Sequence, residues 1–132
     1  MSATAPHLFD NIPDQDPLHF MSDKDEVDYK KVAEFLDFSK PEMSKIAGIS
    51  QNSVRYEPQR IPPKLKRLLM EMGMLVNFVA LNFFDSDLTK TEAWFHSKNP
   101  LLGYVSPRDT LLFGQYEKLA QLVAEAKQNT PD

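Results

Sequence analysis

A run of 17 mostly apolar residues, 68–84, constrains the fold of this chain more than any other feature. It reads LLMEMGMLVNFVALNFF, and its apolar residues recur at helical spacing on more than one face. Glu71, Asn77 and Asn82 interrupt it, and a membrane-spanning helix needs about 20 apolar residues. We therefore expect a buried helix with no role in a membrane, packed against its own chain and against a second copy.

The remaining sequence also reads as helices, because no alternating pattern of useful length appears. A helical period starts near Val27, Pro62-Pro63 opens the long helix, and Ser106 and Gly114 introduce two later helices. The expected fold is all-α, with an N-terminal helix-turn-helix module joined through the long buried helix to a small C-terminal helical domain. The expected divisions are an acidic, partly flexible arm at residues 1–26, the module at 27–61, and a dimerisation and binding domain at 62–132.

Composition excludes several classes of function. The chain has no cysteine, which rules out disulfides and thiolate metal sites and fits a cytoplasmic location. Its three histidines have no partner at metal-ligand spacing, and the four glycines form no phosphate-binding loop. No nucleophile, base and orienting group occur in a catalytic pattern. We expect no enzyme activity, no catalytic residue, no metal and no cofactor.

Charge is distributed unevenly along the chain. Residues 1–38 carry nine acidic side chains and three lysines, whereas residues 39–70 carry seven basic side chains and two acidic ones. The net charge of −4 therefore conceals a basic middle segment. A positive surface of this kind favours contact with a polyanion such as DNA.

Within this basic segment, residues 39–57 suggest a helix, a glycine turn and a second helix. Ser39 and Glu42 have the spacing of a capping box, Gly48 suits a left-handed turn, and Ser50 suits the cap of the second helix. Pro58 limits that second helix to about two turns, so useful affinity for operator DNA would need a homodimer. The residues expected to meet bases and phosphates are Lys40, Lys45, Ser50, Gln51, Asn52, Ser53, Arg55, Tyr56 and Arg60. The alternative is a plain corner between two helices with a solvated basic face.

A second unusual segment, SKNPLLGYVSPRD at residues 97–109, follows the only tryptophan, Trp94. Asn99-Pro100 ends the preceding helix, and Gly103 permits a backbone conformation that other residues resist. Leu101 and its apolar neighbours then lie on a loop, where apolar side chains are normally either packed or recognised by a partner. The alternative is a structural corner whose side chains fill the core beneath Trp94.

Both segments resemble parts of one known family. The segment MSKIAGISQNSVRY is similar to the helix-turn-helix of Xre-type regulators. The arrangement Trp-x(4)-Asn-Pro-x-Leu-Gly, followed by Ser-Pro and Leu-Leu, resembles the C-terminal toxin-binding domain of Xre/MbcA/ParS antitoxins. Tyr104 stands where many relatives have a second glycine or a small residue.

The resemblance implies an antitoxin that binds a RES-domain, NAD-degrading toxin, obstructs its active-site pocket and represses the shared operon, usually as a dimer. By the same resemblance, toxin contact falls on Trp94, Asn99, Pro100, Leu101, Leu102, Gly103, Tyr104, Arg108 and Tyr116. Asn99, Pro100 and Gly103 are expected to shape the turn, whereas Leu101 and Tyr104 are expected to meet the partner. The alternatives are a solitary DNA-binding regulator, whose C-terminal domain serves dimerisation or another protein, and a purely structural helical adaptor.

Overall fold

The computed structural model describes residues 16–21 and 26–129, and this part of the chain is helical without strands. It contains two 3₁₀ turns, Gln51–Ser53 and Pro100–Leu102, and two isolated β-bridges. The expected all-α class is confirmed. The α-helices in these residues are α1 (Tyr29–Phe35), α2 (Lys40–Ala47), α3 (Pro63–Phe83), α4 (Leu88–Phe95), α5 (Pro107–Leu112) and α6 (Tyr116–Gln128).

The described residues form two compact units. The first unit comprises residues 19–21 and 26–73, and the second comprises residues 16–18 and 74–129. The division falls inside α3, which therefore contributes its first half to one unit and its second half to the other. The predicted domain boundary after residue 61 lies just before this helix and stays a prediction.

The second half of α3 is buried on more than one side, as its sequence predicts. Residues 75–80 are six consecutive positions, and none of them is more than 6% exposed. The polar member, Asn77, accepts a hydrogen bond from the Leu18 amide (3.3 Å) and donates one to Asp16 Oδ1 (3.0 Å). These bonds satisfy the amide group, which would otherwise be costly to bury.

In residues 16–21 and 26–129, no single helix has the length and apolar character needed to cross a membrane. Helices α3 and α4 pass that criterion only when they are taken as a pair, and a bend of 117° separates them.

In the first unit, α1 and the segment before it pack against α3 at Gly73. A methyl group built onto Gly73 would lie 3.2 Å from Val32 Cγ2, so the missing side chain lets the two helices approach closely. The Phe20 and Phe35 rings meet edge to face with their centroids 6.0 Å apart. Of the apolar residues in the predicted N-terminal arm, Leu18 and Phe20 are buried, whereas Leu8, Phe9 and Ile12 lie outside the described residues.

Local sequence signals set the start of several helices. Ser39 and Glu42 form the expected capping box at α2. Asp87 caps α4 through the Lys90 amide (2.8 Å), and Ser106 caps α5 through the Asp109 amide (3.0 Å). Each side chain satisfies a helix amide that has no partner within its own helix.

Candidate functional site

Residues 99–105, here called the apolar corner, form a closely hydrogen-bonded turn in the second unit. Asn99 Oδ1 accepts from the Leu101 amide (2.9 Å), and the Asn99 carbonyl accepts from the amides of Leu102 and Tyr104 (both 2.9 Å). The Asn99 amide donates to the Val105 carbonyl (3.1 Å), which closes the turn. One residue therefore organises most of the backbone of the corner.

Side chains of the apolar corner divide sharply between core and solvent. Leu102 is 3% exposed, whereas Leu101 and Tyr104 are 73% and 69% exposed. The sequence predicts a partner contact for Leu102, but this side chain is buried and supports the turn from the core side. The two exposed side chains are the ones whose surface a partner can reach.

The backbone of the corner is strained at one residue that is not glycine. Gly103 has φ +71°, which costs a glycine little, but Tyr104 has φ +66°. A bulky L-residue in this region costs about 1–2 kcal/mol relative to ordinary backbone. The surrounding hydrogen bonds therefore hold Tyr104 in a conformation that it would not adopt by itself.

An apolar groove of about 250 Å³ opens beside the corner within the second unit. Its walls come from the end of α3, from α4, from the corner and from α6. Trp94 lies in it partly exposed, packed edge to face on Phe95 (centroids 5.0 Å apart) and tilted against Phe84 (6.3 Å). The lining residues are Val79, Phe83, Phe84, Trp94, Asn99, Leu101, Leu122, Val123 and Ala126.

Of the nine lining residues, the sequence predicts a partner contact only for Trp94, Asn99 and Leu101. Leu122, Val123 and Ala126 of α6 also line the groove, and their place beside the corner depends on tertiary packing. Of the other residues expected in contact with a partner, Arg108 pairs with Asp109 (2.9 Å) and Tyr116 is partly buried, and neither lines the groove. Phe113, which was not predicted, is 61% exposed.

Residues 48–56, here called the polar corner, lie in the first unit and differ from their prediction. Helix α2 ends as expected at Gly48, which has φ +69°. The expected second helix of about two turns is wrong, because only the single 3₁₀ turn Gln51–Ser53 forms. Ser50 makes no capping bond to the backbone; its hydroxyl lies 2.8 Å from that of Ser53. Val54 is already extended at φ −75°, ψ 98°, so residues 50–56 do not form the reading helix that the sequence predicts.

Three of the cationic residues of the first unit line a cleft of about 460 Å³. Burial, and then the negative charge of Glu34, raises the pKa of the Tyr56 phenol in this cleft. Lys30, which no sequence motif indicated, joins Lys40 and Arg55 there. Lys45 and Arg60, together with Gln51, are exposed outside the cleft. The lining residues are Lys30, Lys40, Asn52, Val54, Arg55, Tyr56 and Glu57.

Metal binding has no support in residues 16–21 and 26–129, where no three histidine or carboxylate side chains come together as ligands. His19 and His96, the two histidines in this part of the chain, are both exposed.

Comparison with known proteins gives one informative likeness. No family model and no curated protein matches the chain. A search of solved structures finds a chain of the crystal structure of the M. tuberculosis MbcT–MbcA toxin–antitoxin complex, with a TM-score of 0.52 and 21% sequence identity. The match covers 79% of this chain and 94% of that chain. The protein therefore has the fold of a component of the MbcT–MbcA complex.

Proposed function

We propose that the protein is an antitoxin, which binds a cognate RES-type, NAD-degrading toxin and obstructs its active-site pocket. The observation that carries this proposal is the apolar corner, with its two exposed side chains held beside an apolar groove. The fold supports it as well, since the similar chain comes from a toxin–antitoxin complex. The motif around Trp94 and Asn99 belongs, by resemblance, to the antitoxin side of such a pair.

The corner has the physical properties of an interface anchor. Its hydrogen bonds fix the backbone at Leu101 and Tyr104 before any partner arrives, so less backbone entropy has to be lost on binding. Exposed tyrosine adds a large contact area and a hydroxyl group, and aromatic residues often dominate binding energy. The strained backbone of Tyr104 favours a functional role, since a glycine there would be more stable.

The groove completes the proposed contact surface. An apolar side chain of the toxin would enter it against Trp94 and Leu101, while Tyr104 contacts the toxin outside the groove. Asn99, Pro100 and Gly103 shape this surface, Leu102 supports it, and Arg108 and Tyr116 extend it along the neighbouring helices. Neutralisation is then steric, and it requires no catalytic group on this chain.

Co-expression with the RES-type protein of the neighbouring reading frame tests the proposal. The protein should restore growth, and a pull-down followed by an NAD assay should show a complex with reduced NAD loss. Leu101→Ala and Tyr104→Ala should each weaken the complex by at least tenfold, which corresponds to about 1.4 kcal/mol or more. Leu88→Ala is the matched control, because Leu88 is 51% exposed in the same unit and does not line the groove.

Equal binding by all three variants would remove the apolar corner from the interface. Tyr104→Gly separates function from folding. Relief of the positive φ should raise the free energy of unfolding by about 0.5–1 kcal/mol, while toxin binding falls. A Tyr104→Gly protein that is more stable and binds as well as before would argue against a contact role for Tyr104.

We further propose that the first unit binds operator DNA as a homodimer and represses the operon. The basic balance of residues 39–70 supports this, as do the exposed Lys45, Gln51 and Arg60. With only a 3₁₀ turn at Gln51–Ser53, phosphate contacts would dominate over base contacts. Affinity for the promoter should therefore fall steeply with salt concentration. The slope of log affinity against log salt concentration should become shallower when a phosphate-contacting lysine is replaced.

A solitary regulator is the second candidate, because the basic surface does not depend on a toxin. The co-expression experiment distinguishes the two functions. Promoter binding without growth rescue or a toxin complex would favour the regulator. Absence of salt-dependent binding to promoter DNA would exclude both DNA roles.

A further inference from the structure

We propose that the basic cleft of the first unit is a binding site for a nucleotide, with its phosphate held by Lys30, Lys40 and Arg55 and its base against Tyr56. This inference goes beyond the antitoxin proposal and does not depend on it.

Charge is the first argument. In an acidic protein, Lys30, Lys40 and Arg55 come from α1, from α2 and from the segment after the 3₁₀ turn, yet they line one cleft. None of the three has an ion pair within the described residues. Glu57 is the only carboxylate among the lining residues, so the lining carries a net charge of +2. These three cations have no ion pair in the described residues and outnumber Glu57 and the nearby Glu34, so the cleft is suited to a phosphate dianion.

Shape is the second argument. The cleft volume of about 460 Å³ lies in the range of small-ligand sites, which is roughly 300–1,000 Å³. Val54 and Tyr56 are among its lining residues, Val54 almost fully buried and Tyr56 partly buried. The Tyr56 ring can stack on a base, as aromatic side chains do in single-strand binding proteins. The exposed Asn52 amide can bond a base edge because it both donates and accepts.

The same geometry disfavours a duplex as the occupant of the cleft. A base within a duplex is paired and stacked, so it cannot lie against Tyr56 without being extruded. A mononucleotide and a single strand both present a free base next to a phosphate. These are two sources of one ligand chemistry, and the experiment separates them.

Binding of four probes to the full-length protein tests the site: inorganic phosphate, adenosine 5′-monophosphate, a short single-stranded oligonucleotide and a duplex of the same sequence. We expect the mononucleotide or the single strand to bind more tightly than inorganic phosphate. The duplex, which the DNA proposal assigns to the exposed Lys45 and Arg60 outside the cleft, should bind independently of Lys30. Tight mononucleotide binding identifies a free nucleotide as the source. Much tighter single-strand binding, with a stronger salt dependence, identifies a strand.

Variants locate the binding in the cleft. Lys30→Ala and Arg55→Ala should each weaken binding of the preferred probe about three- to tenfold. Lys66→Ala is the matched control and should leave affinity unchanged, because Lys66 is exposed in the same unit but does not line the cleft. Tyr56→Leu should abolish the preference for the mononucleotide over inorganic phosphate. Thermal melting of each variant verifies folding.

Three results would overturn the proposal. They are no saturable binding of the mononucleotide or the single strand, binding of the duplex alone, or equal losses of probe affinity in Lys66→Ala and Arg55→Ala. The Lys30→Ala/Arg55→Ala double variant should still neutralise the toxin. Failure of the nucleotide site is therefore distinguishable from failure of the antitoxin proposal.

Discussion

The polar corner and the apolar corner use the same backbone elements but present opposite chemistry. Each combines a three-residue 3₁₀ turn with a glycine in the left-handed region, Gly48 at φ +69° and Gly103 at φ +71°. Each also buries one aliphatic side chain, Val54 in the first and Leu102 in the second. The exposed residues differ: Asn52 and Arg55 in the polar corner, Leu101 and Tyr104 in the apolar one. The order also differs, since Gly48 precedes its 3₁₀ turn and Gly103 directly follows the other. The backbone elements alone therefore say little about the partner, which depends on the few side chains that each corner holds outward.

The largest expected effect concerns the division between core and surface in the apolar corner. Leu102→Ala should lower the free energy of unfolding by about 2–5 kcal/mol, because it empties space in a packed core. Leu101→Ala should change it by less than about 0.5 kcal/mol, since Leu101 is 73% exposed. Chemical denaturation of both variants measures the difference. Similar losses in the two would mean that the corner has no separate inner and outer face.

The two glycines should behave alike, because both corners need the same backbone angle. Gly48→Ala and Gly103→Ala should each cost about 1–2 kcal/mol of unfolding free energy. No atom lies within 4 Å of a methyl group built at either position, so the cost comes from the positive φ and not from a clash. Asparagine tolerates this region better, so Gly→Asn variants should recover part of the loss. An alanine variant as stable as the parent would place that residue outside the left-handed region.

Capping should distinguish the corners. Asn99→Ala removes a side-chain bond to the Leu101 amide and should cost about 1 kcal/mol. Ser50→Ala should lower the free energy of unfolding by less than about 0.5 kcal/mol. Ser50 makes no capping bond to the backbone, and its contact with Ser53 is exposed. Thermal unfolding of the pair at equal concentration provides the test, and a larger loss in Ser50→Ala would reverse this comparison.

The smallest expected effect is on the alkaline side of the stability profile. Burial, and then Glu34, raises the pKa of Tyr56 in the folded state above its ordinary value of 10.0. The stability that follows is fully present below pH 10 and is lost as the pH rises through the folded-state pKa, because the unfolded chain loses its proton first. Tyr56→Phe should therefore flatten the decline above pH 10. Burial also raises the pKa of Tyr29, so part of the decline should remain in Tyr56→Phe. A stability profile that is unchanged in Tyr56→Phe would show that Tyr56 is freely solvated.

Most local features of the fold were predictable, because they depend on residues three or four positions apart. The capping box of Ser39 and Glu42, the caps at Asp87 and Ser106, and the turn at Gly48 follow from side chains that bond their own neighbouring backbone. The one failure among them is the helix after Ser50. That serine bonds Ser53 instead of the backbone, and the chain is already extended at Val54. A good cap residue is therefore not sufficient when no amphipathic stretch follows it.

The sequence by itself determined an all-α chain, the burial of the later part of α3 on more than one side, and the positions of the two corners. Periodicity and capping carry this information because they act within one or two helical turns. Only the tertiary structure decided that Leu102 turns inward while Leu101 and Tyr104 stay outside, and that α6 lines the groove at Trp94. It also decided that Lys30 joins Arg55 across 25 residues of sequence in the basic cleft. Those outcomes depend on how whole helices pack, and no local pattern specifies which faces of distant segments meet.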